Sequence, residues 1–200
     1  MTGTGQLVVR GLVPDMVLEF NVREFRLNSP SEHIIGGKTY DLELQIIHSV
    51  VSDYLPNDDS LSSSKLILSV LFSVKRGATN DFLDKLNLDT FDTITKVNLK
   101  EFIESMNQNY IYYQGSLSTP PCTENVYRFI MADVQYMSYE QLEKITAFYA
   151  SNARTVQTLN SRSVVKVTKK MSRTLESAGE GLSAVLASVM TTIAVLFALL

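Results

Sequence analysis

His33, His48 and Cys122 are the only imidazole and thiol side chains in this chain of 200 residues. Imidazole and thiolate are the nitrogen and sulfur ligands from which zinc sites are built. Two histidines cannot make a three-histidine zinc site within one chain, whatever the fold. One cysteine cannot form an intrachain disulfide. His48 sits in an alternating stretch on the face shared by Tyr40, Leu42, Leu44 and Ile46. A lone histidine on a mainly apolar strand face reads as a hydrogen-bonded core residue before it reads as a ligand. The formal charge of −3 leaves no basic surface of the kind that holds nucleic acid.

The elements that must position these residues are mostly strands. A hydrophobic content of 45% suits one globular domain. In Met16–Asn28 the residues Leu18, Phe20 and Val22 alternate, and the phase then shifts to Phe25 and Leu27. A one-residue shift inside a strand predicts a bulge or strong twist. Ser29-Pro30 ends that strand. Gly36-Gly37 predicts a tight turn, and Thr39–Val50 a strand with Asp41, Glu43 and Gln45 opposite the apolar set. Residues 53–64 are a polar loop. Lys65–Lys75 is apolar enough for a buried central strand. Residues 79–88 suit a short helix capped by Thr79 or Asn80. Residues 97–106 suit a strand or a helical turn equally. Residues 111–113 and 125–134 are further strand candidates. Ser138–Ala150 is the clearest helix, with Ser138 and Gln141 spaced as a capping box and Leu142, Ile145, Phe148 and Tyr149 on one face.

The two ends differ from this body. The opening MTGTGQLVVRG has no basic or apolar leader pattern and does not read as a signal peptide. Leu182 to Leu200 is a run of 19 uncharged residues, long enough to cross a bilayer as a helix. Small residues at Ser177-Ala178-Gly179, a spacer and an apolar end follow the pattern of a GPI-anchor signal. A plain tail anchor and a buried terminal helix are the competing readings.

The stretch Tyr112–Val126, YYQGSLSTPPCTENV, resembles a long motif of the α-type carbonic anhydrases, double proline included. Residues 30–48, PSEHIIGGKTYDLELQIIH, resemble a second motif of that family, and VQTLNSRSV near residue 160 resembles its closing one. The likeness covers residues 5–167, with 168–181 as a linker and 182–200 as the apolar segment. It implies a mainly β fold with a few short helices around a large, twisted, mostly antiparallel central sheet. It also implies that the N-terminal part of the domain, roughly its first quarter to third, is missing from this chain.

Carried over position by position, the resemblance places the family's three zinc-ligand positions on Arg26, Asn28 and Gln45. None is a good ligand, since a guanidinium has no lone pair to give and carboxamides bind zinc poorly. Glu43 matches a carboxylate that orients a zinc histidine. Ser118 and Glu32 match the hydroxyl and carboxylate that steer zinc-bound hydroxide, Thr119 a neighbouring pocket hydroxyl, and Leu117 the apolar wall. Both histidines match structural positions. Arg128 stands where the family has tryptophan, and Cys122 matches a cysteine whose partner would lie upstream.

The implied function is therefore a carbonic-anhydrase-like domain without zinc or catalysis. It would act as a membrane-attached binding module through Leu182–Leu200, with a protein or small anion as ligand. The cell surface is its expected location if a signal peptide lies upstream. Two alternatives stay open: a zinc-dependent carbonic anhydrase with atypical ligands, and a fragment that does not fold alone. Arg26 has two readings as well: an ion pair with Glu43 or Glu32, or a side chain turned with Glu24 towards solvent.

Overall fold

Alternation of apolar and polar residues decides the sheet, and one irregularity in that alternation decides the site. The computed structural model describes residues 6–10, 12, 17–51, 64–87, 97–148 and 151–168. The strands are β1 (Gln6–Arg10), β2 (Val17–Asn28), β3 (Ile34–Ile35), β4 (Lys38–Thr39), β5 (Leu42–Val50), β6 (Lys65–Val74), β7 (Tyr110–Gly115), β8 (Val126–Met131), β9 (Gln135–Met137) and β10 (Val164–Val167). The main sheet runs β1-β2-β5-β6-β8-β7-β10, with β9 also paired to β6. Most pairs are antiparallel, but β6 runs parallel to both β8 and β9. The expected mainly β, mostly antiparallel architecture is the one observed. The buried strand expected over 65–75 is β6, at the centre of the order.

Residues directly opposite in a ladder share a face of the sheet. One face carries Leu18, Phe20 and Val22 of β2, then Leu42, Leu44 and Ile46 of β5. It continues through Leu66, Leu68, Val70 and Phe72 of β6 to Phe129 and Met131 of β8, all in one buried cluster. The helices α1 (Asp81–Lys85), α2 (Leu99–Glu104) and α3 (Tyr139–Phe148) add Phe82, Leu83, Ile103 and Ile145 to that cluster. Phe82 stacks on Phe102 with ring centroids 4.1 Å apart.

The opposite face is different in kind. It bears Glu24, Arg26 and Asn28 on β2, facing Ile47, Gln45 and Glu43 of β5. These polar residues reach that face because the β2–β5 register shifts between Val22 and Glu24. Before the shift, even-numbered residues of β2 point into the apolar core. After it the odd-numbered Phe25 and Leu27 do so, and Arg26 and Asn28 turn over. The phase shift seen in the sequence is this bulge.

The helices hold themselves by side-chain caps. Asn80 accepts from the Leu83 amide, and Asn98 accepts from that of Glu101. The ambiguous 97–106 stretch is thus a capped helix, not a strand. The predicted box on α3 forms in both directions: the Gln141 amide donates to Ser138 Oγ and the Ser138 amide to Gln141 Oε1. α1 is shorter than expected, ending at Lys85. Strands β1, β9 and β10 were not foreseen; they run only 3–5 residues, too short for periodicity to register. The 53–63 loop, Phe148's side chain, Tyr149, residues 169–181 and the apolar run 182–200 lie outside the described residues. Among the described residues no helix is long and apolar enough to cross a membrane.

Candidate functional site

The polar face of β2 and β5 converges on one carboxylate. Glu43 is fully buried, and four groups share its two oxygens. The amides of Glu32 and His33 donate to Oε2 at 2.9 and 3.0 Å. His33 Nδ1 lies 2.7 Å from Oε1, and Gln45 Nε2 donates to the same atom at 2.9 Å. Burial alone would push this carboxyl up. The charge of His33 and the hydrogen bonds of His33 and Gln45 outweigh it and bring it down to about 2.

His33 links that carboxylate to a phenol: its Nε2 lies 2.7 Å from the Tyr113 hydroxyl. With Nδ1–H donated to Glu43 and no proton on Nε2, the ring accepts there and the tyrosine donates. Burial raises the Tyr113 pKa, so the phenol keeps its proton at neutral pH. Tyr113 lies in the YYQGSLSTPPCTENV motif, but no role was expected of it. His33 is structural, as expected, and it is also the hub of this network.

Gln45, at a ligand position of the resemblance, spends both amide hydrogens on carboxylates, Glu32 Oε2 at 2.8 Å and Glu43. Glu32 Oε1 accepts from the Arg154 amide. Ser118 makes no hydrogen bond to Glu32, so the hydroxyl–carboxylate pair implied by the resemblance is not formed. Asn28, directly opposite Glu43 in the ladder, is buried with Nδ2 unpartnered. The side chain of Asn152 pins the strand around it, donating to the Leu27 carbonyl and accepting from the Ser29 amide.

Arg26 follows neither expected course fully. It does not pair with Glu43 or Glu32, because Gln45, His33 and main-chain amides already hold those carboxylates. Instead it bonds to Glu24 on its own strand and donates to Thr119 Oγ1 at 2.9 Å. Both members of the Arg26–Glu24 pair are over a third exposed, so the pair contributes little to stability. Leu117 packs against Ile47, Ile67 and Val126 in a small apolar cluster beside the site.

Arg26, Asn28 and Gln45 lie on one face of adjacent strands, as the resemblance requires, but their chemistry does not fit a zinc ion. Arg26 offers only N–H groups, and Gln45 directs its NH2 at the carboxylates. Among the described residues no three His, Cys, Asp or Glu side chains gather as a metal cage.

His48 is buried on the apolar face, opposite Val22 and Leu66, with Nδ1 unpartnered. Burial lowers its pKa to about 4, against main-chain hydrogen bonds at Leu66 and Ile46 that pull it back. It is therefore a neutral core residue, less fully bonded than expected. Arg128, expected only as the loss of an aromatic group, is buried and donates through Nε and Nη2 to the Ser116 carbonyl. Cys122 is a partly buried free thiol.

Comparison with known proteins agrees with this architecture. The family model for eukaryotic-type carbonic anhydrase matches residues 19–170. A carbonic anhydrase of Nostoc sp. is 31% identical over 156 residues, covering 74% of this chain and 54% of its own length. The solved α-carbonic anhydrase of Thermovibrio ammonificans, in complex with the inhibitor sulfanilamide, superposes with a TM-score of 0.62 at 27% identity. That alignment covers 81% of this chain and 75% of that one. A dioscorin solved with ascorbate gives a TM-score of 0.61 at 25% identity, covering 82% of this chain and 74% of its own. The chain spans about half the length of the curated relatives it matches. With the family match running across most of the sheet and through both site-bearing strands, the chain belongs to the eukaryotic-type carbonic anhydrase family.

Proposed function

We propose that this protein is a carbonic-anhydrase-like domain that does not hydrate carbon dioxide and serves as a membrane-attached binding module. The observation that carries this reading is the state of Gln45. At a position where zinc would need a lone pair, it presents two N–H groups to Glu32 and Glu43. Arg26 brings a fixed positive charge to a second such position, where it would repel a dication. Without the ion nothing lowers the pKa of a bound water from 15.7 to about 7, so no hydroxide nucleophile forms near neutral pH. Membrane attachment rests on the uncharged run Leu182–Leu200.

The test is zinc content by mass spectrometry on the full chain, with a stopped-flow carbon dioxide hydration assay before and after adding zinc. The expected result is substoichiometric zinc and no rate above the uncatalysed reaction. Stoichiometric zinc with sulfonamide-sensitive hydration would establish the atypical-ligand enzyme instead. Membrane attachment is checked by carbonate extraction of cell membranes: the chain stays in the pellet, and a variant ending at residue 181 is released.

A further inference from the structure

Beside the converted metal positions, on the same face of the sheet, lies a hollow of about 420 Å³. Its walls are β7, β8, the β3–β4 hairpin and the segment 154–164, and Arg26, Asn28 and Gln45 do not line it. That volume is in the range of small-molecule sites.

Three arginines line it: Arg128, Arg154 and Arg162. Each spends part of its guanidinium on main-chain carbonyls: Arg128 on Ser116, Arg154 on Leu117, and Arg162 on Leu159 and Thr158. Among the described residues none forms an ion pair with a carboxylate; the ion pairs there join Arg26 to Glu24 and His33 to Glu43. Arg128 is only 4% exposed, and its Nη1 is buried with no partner at all. A buried guanidinium cannot shed its proton, so its charge and its unused donor call for an acceptor. The one carboxylate in the wall, Glu32, is already engaged by Gln45 and the Arg154 amide.

The rest of the lining mixes polar groups such as Ser116, Ser118, Thr155 and Gln157 with a set of aliphatic side chains. Ile111 and Ile130 form the floor, and Ile34, Val156, Leu159 and Val164 stand exposed at the rim. Those four are half of the large exposed hydrophobic side chains among the described residues. An inorganic anion would satisfy the arginines and leave this surface wet.

The geometry points to a binding site for a small organic carboxylate, its anionic head held by Arg128 and Arg162 and its compact apolar body lying against Ile111, Ile130 and Val164. With Nε and Nη2 of both arginines engaged on carbonyls, the Nη1 donors remain for the carboxylate, one contact from each guanidinium. This site deepens the binding-module reading but does not depend on the metal positions.

Calorimetric titration of the full chain in detergent micelles, with EDTA present throughout, tests it. The probes are benzoate, its neutral isostere benzamide, and inorganic phosphate. Benzoate is expected to bind saturably at one site, and benzamide and phosphate at least about tenfold more weakly, as the loss of a charge-assisted contact or of apolar burial requires. Arg162→Gln and Arg128→Met are each expected to weaken benzoate by at least about tenfold. Arg162 is partly exposed, so its variant keeps the test decisive if Arg128→Met does not fold. Equal binding of benzoate and benzamide, phosphate binding as tight as benzoate, no saturable binding, or unchanged affinity in Arg162→Gln each overturns the proposal. Because chelator is present, these outcomes are independent of whether the chain takes up zinc.

Discussion

At the scale of single residues, Gln45 and Glu43 form the centre of a hydrogen-bonded frame on the polar face of the sheet. A glutamine amide lies between Glu32 and Glu43, and both oxygens of Glu43 are fully engaged. If only the donor types stand against zinc, then replacing Arg26, Asn28 and Gln45 together by histidine should restore uptake. The triple variant is expected to bind zinc stoichiometrically after dialysis while the native chain does not; equal zinc in both would refute this. His48 gives a second expectation. Its folded pKa, about 4, lies below the ordinary 6.5, so between these values the unfolded chain binds more protons. Stability is therefore full above about pH 6.5 and falls by up to about 3 kcal/mol as pH drops to 4. Glu43 extends the loss: its contribution is intact above 4.5 and disappears as pH falls towards 2. Chemical denaturation at stepped pH should show the upper slope, and His48→Leu should flatten it. Much of this scale was legible in the sequence, since two histidines and the types of Arg26, Asn28 and Gln45 are plain there. The partners were not. That Arg26 turns to Glu24 and Thr119, or that Tyr113 joins His33, depends on side chains up to 93 residues apart in the chain.

At the scale of elements, the bulge in β2 and the cap of α3 carry the most consequence. Arg23, at the shift, is exposed, and its side chain is dispensable. Arg23→Ala is expected to change stability by less than about 0.5 kcal/mol. Deleting residue 23 is a different experiment. It would remove the extra residue, so that Leu18, Phe20, Val22, Phe25 and Leu27 alternate without a break on the core face and Glu24 still pairs with Ile47. The cooperative melt should be kept, and its loss would show that the bulge itself is needed. Gln141 is more than a cap. Its Oε1 accepts from the amides of Asn80 and Ser138, and its Nε2 donates to the Asn80 carbonyl and Asp84. It thus ties the start of α1 to the start of α3. Gln141→Ala should cost about 2 kcal/mol in a urea melt, from buried donors and acceptors left unpaired; a loss under about 0.5 kcal/mol would show the tie to be idle. Strand phase and capping box were both readable from spacing. The tie between the helices was not, because nothing in the sequence brings residue 80 to residue 141.

At the scale of the whole molecule, the sheet divides the labour between its faces. One face is a continuous apolar core under three short helices, and the other bears charge, amide and phenol around a hollow. The central strand β6 pairs in parallel with β8 and β9, some sixty residues on, and β10 closes on β7 from over fifty residues away. Such distant pairings make folding slow. Refolding followed by tyrosine fluorescence, undisturbed because the chain has no tryptophan, should take milliseconds to seconds rather than microseconds. The fold class was legible because long motifs point to one family, whereas the short strands at the sheet margins lay below the reach of any pattern.

The chain of contacts from Tyr113 through His33 to Glu43 has one further bearing. It ties the PSEH stretch to the YYQGSLSTPPC stretch across 80 residues, with no atom drawn from Arg26, Asn28 or Gln45. These two stretches also carry the family likeness most visibly. The residues by which this lineage is recognised are thus its joinery, and membership of the family is written in them independently of what stands at Arg26, Asn28 and Gln45.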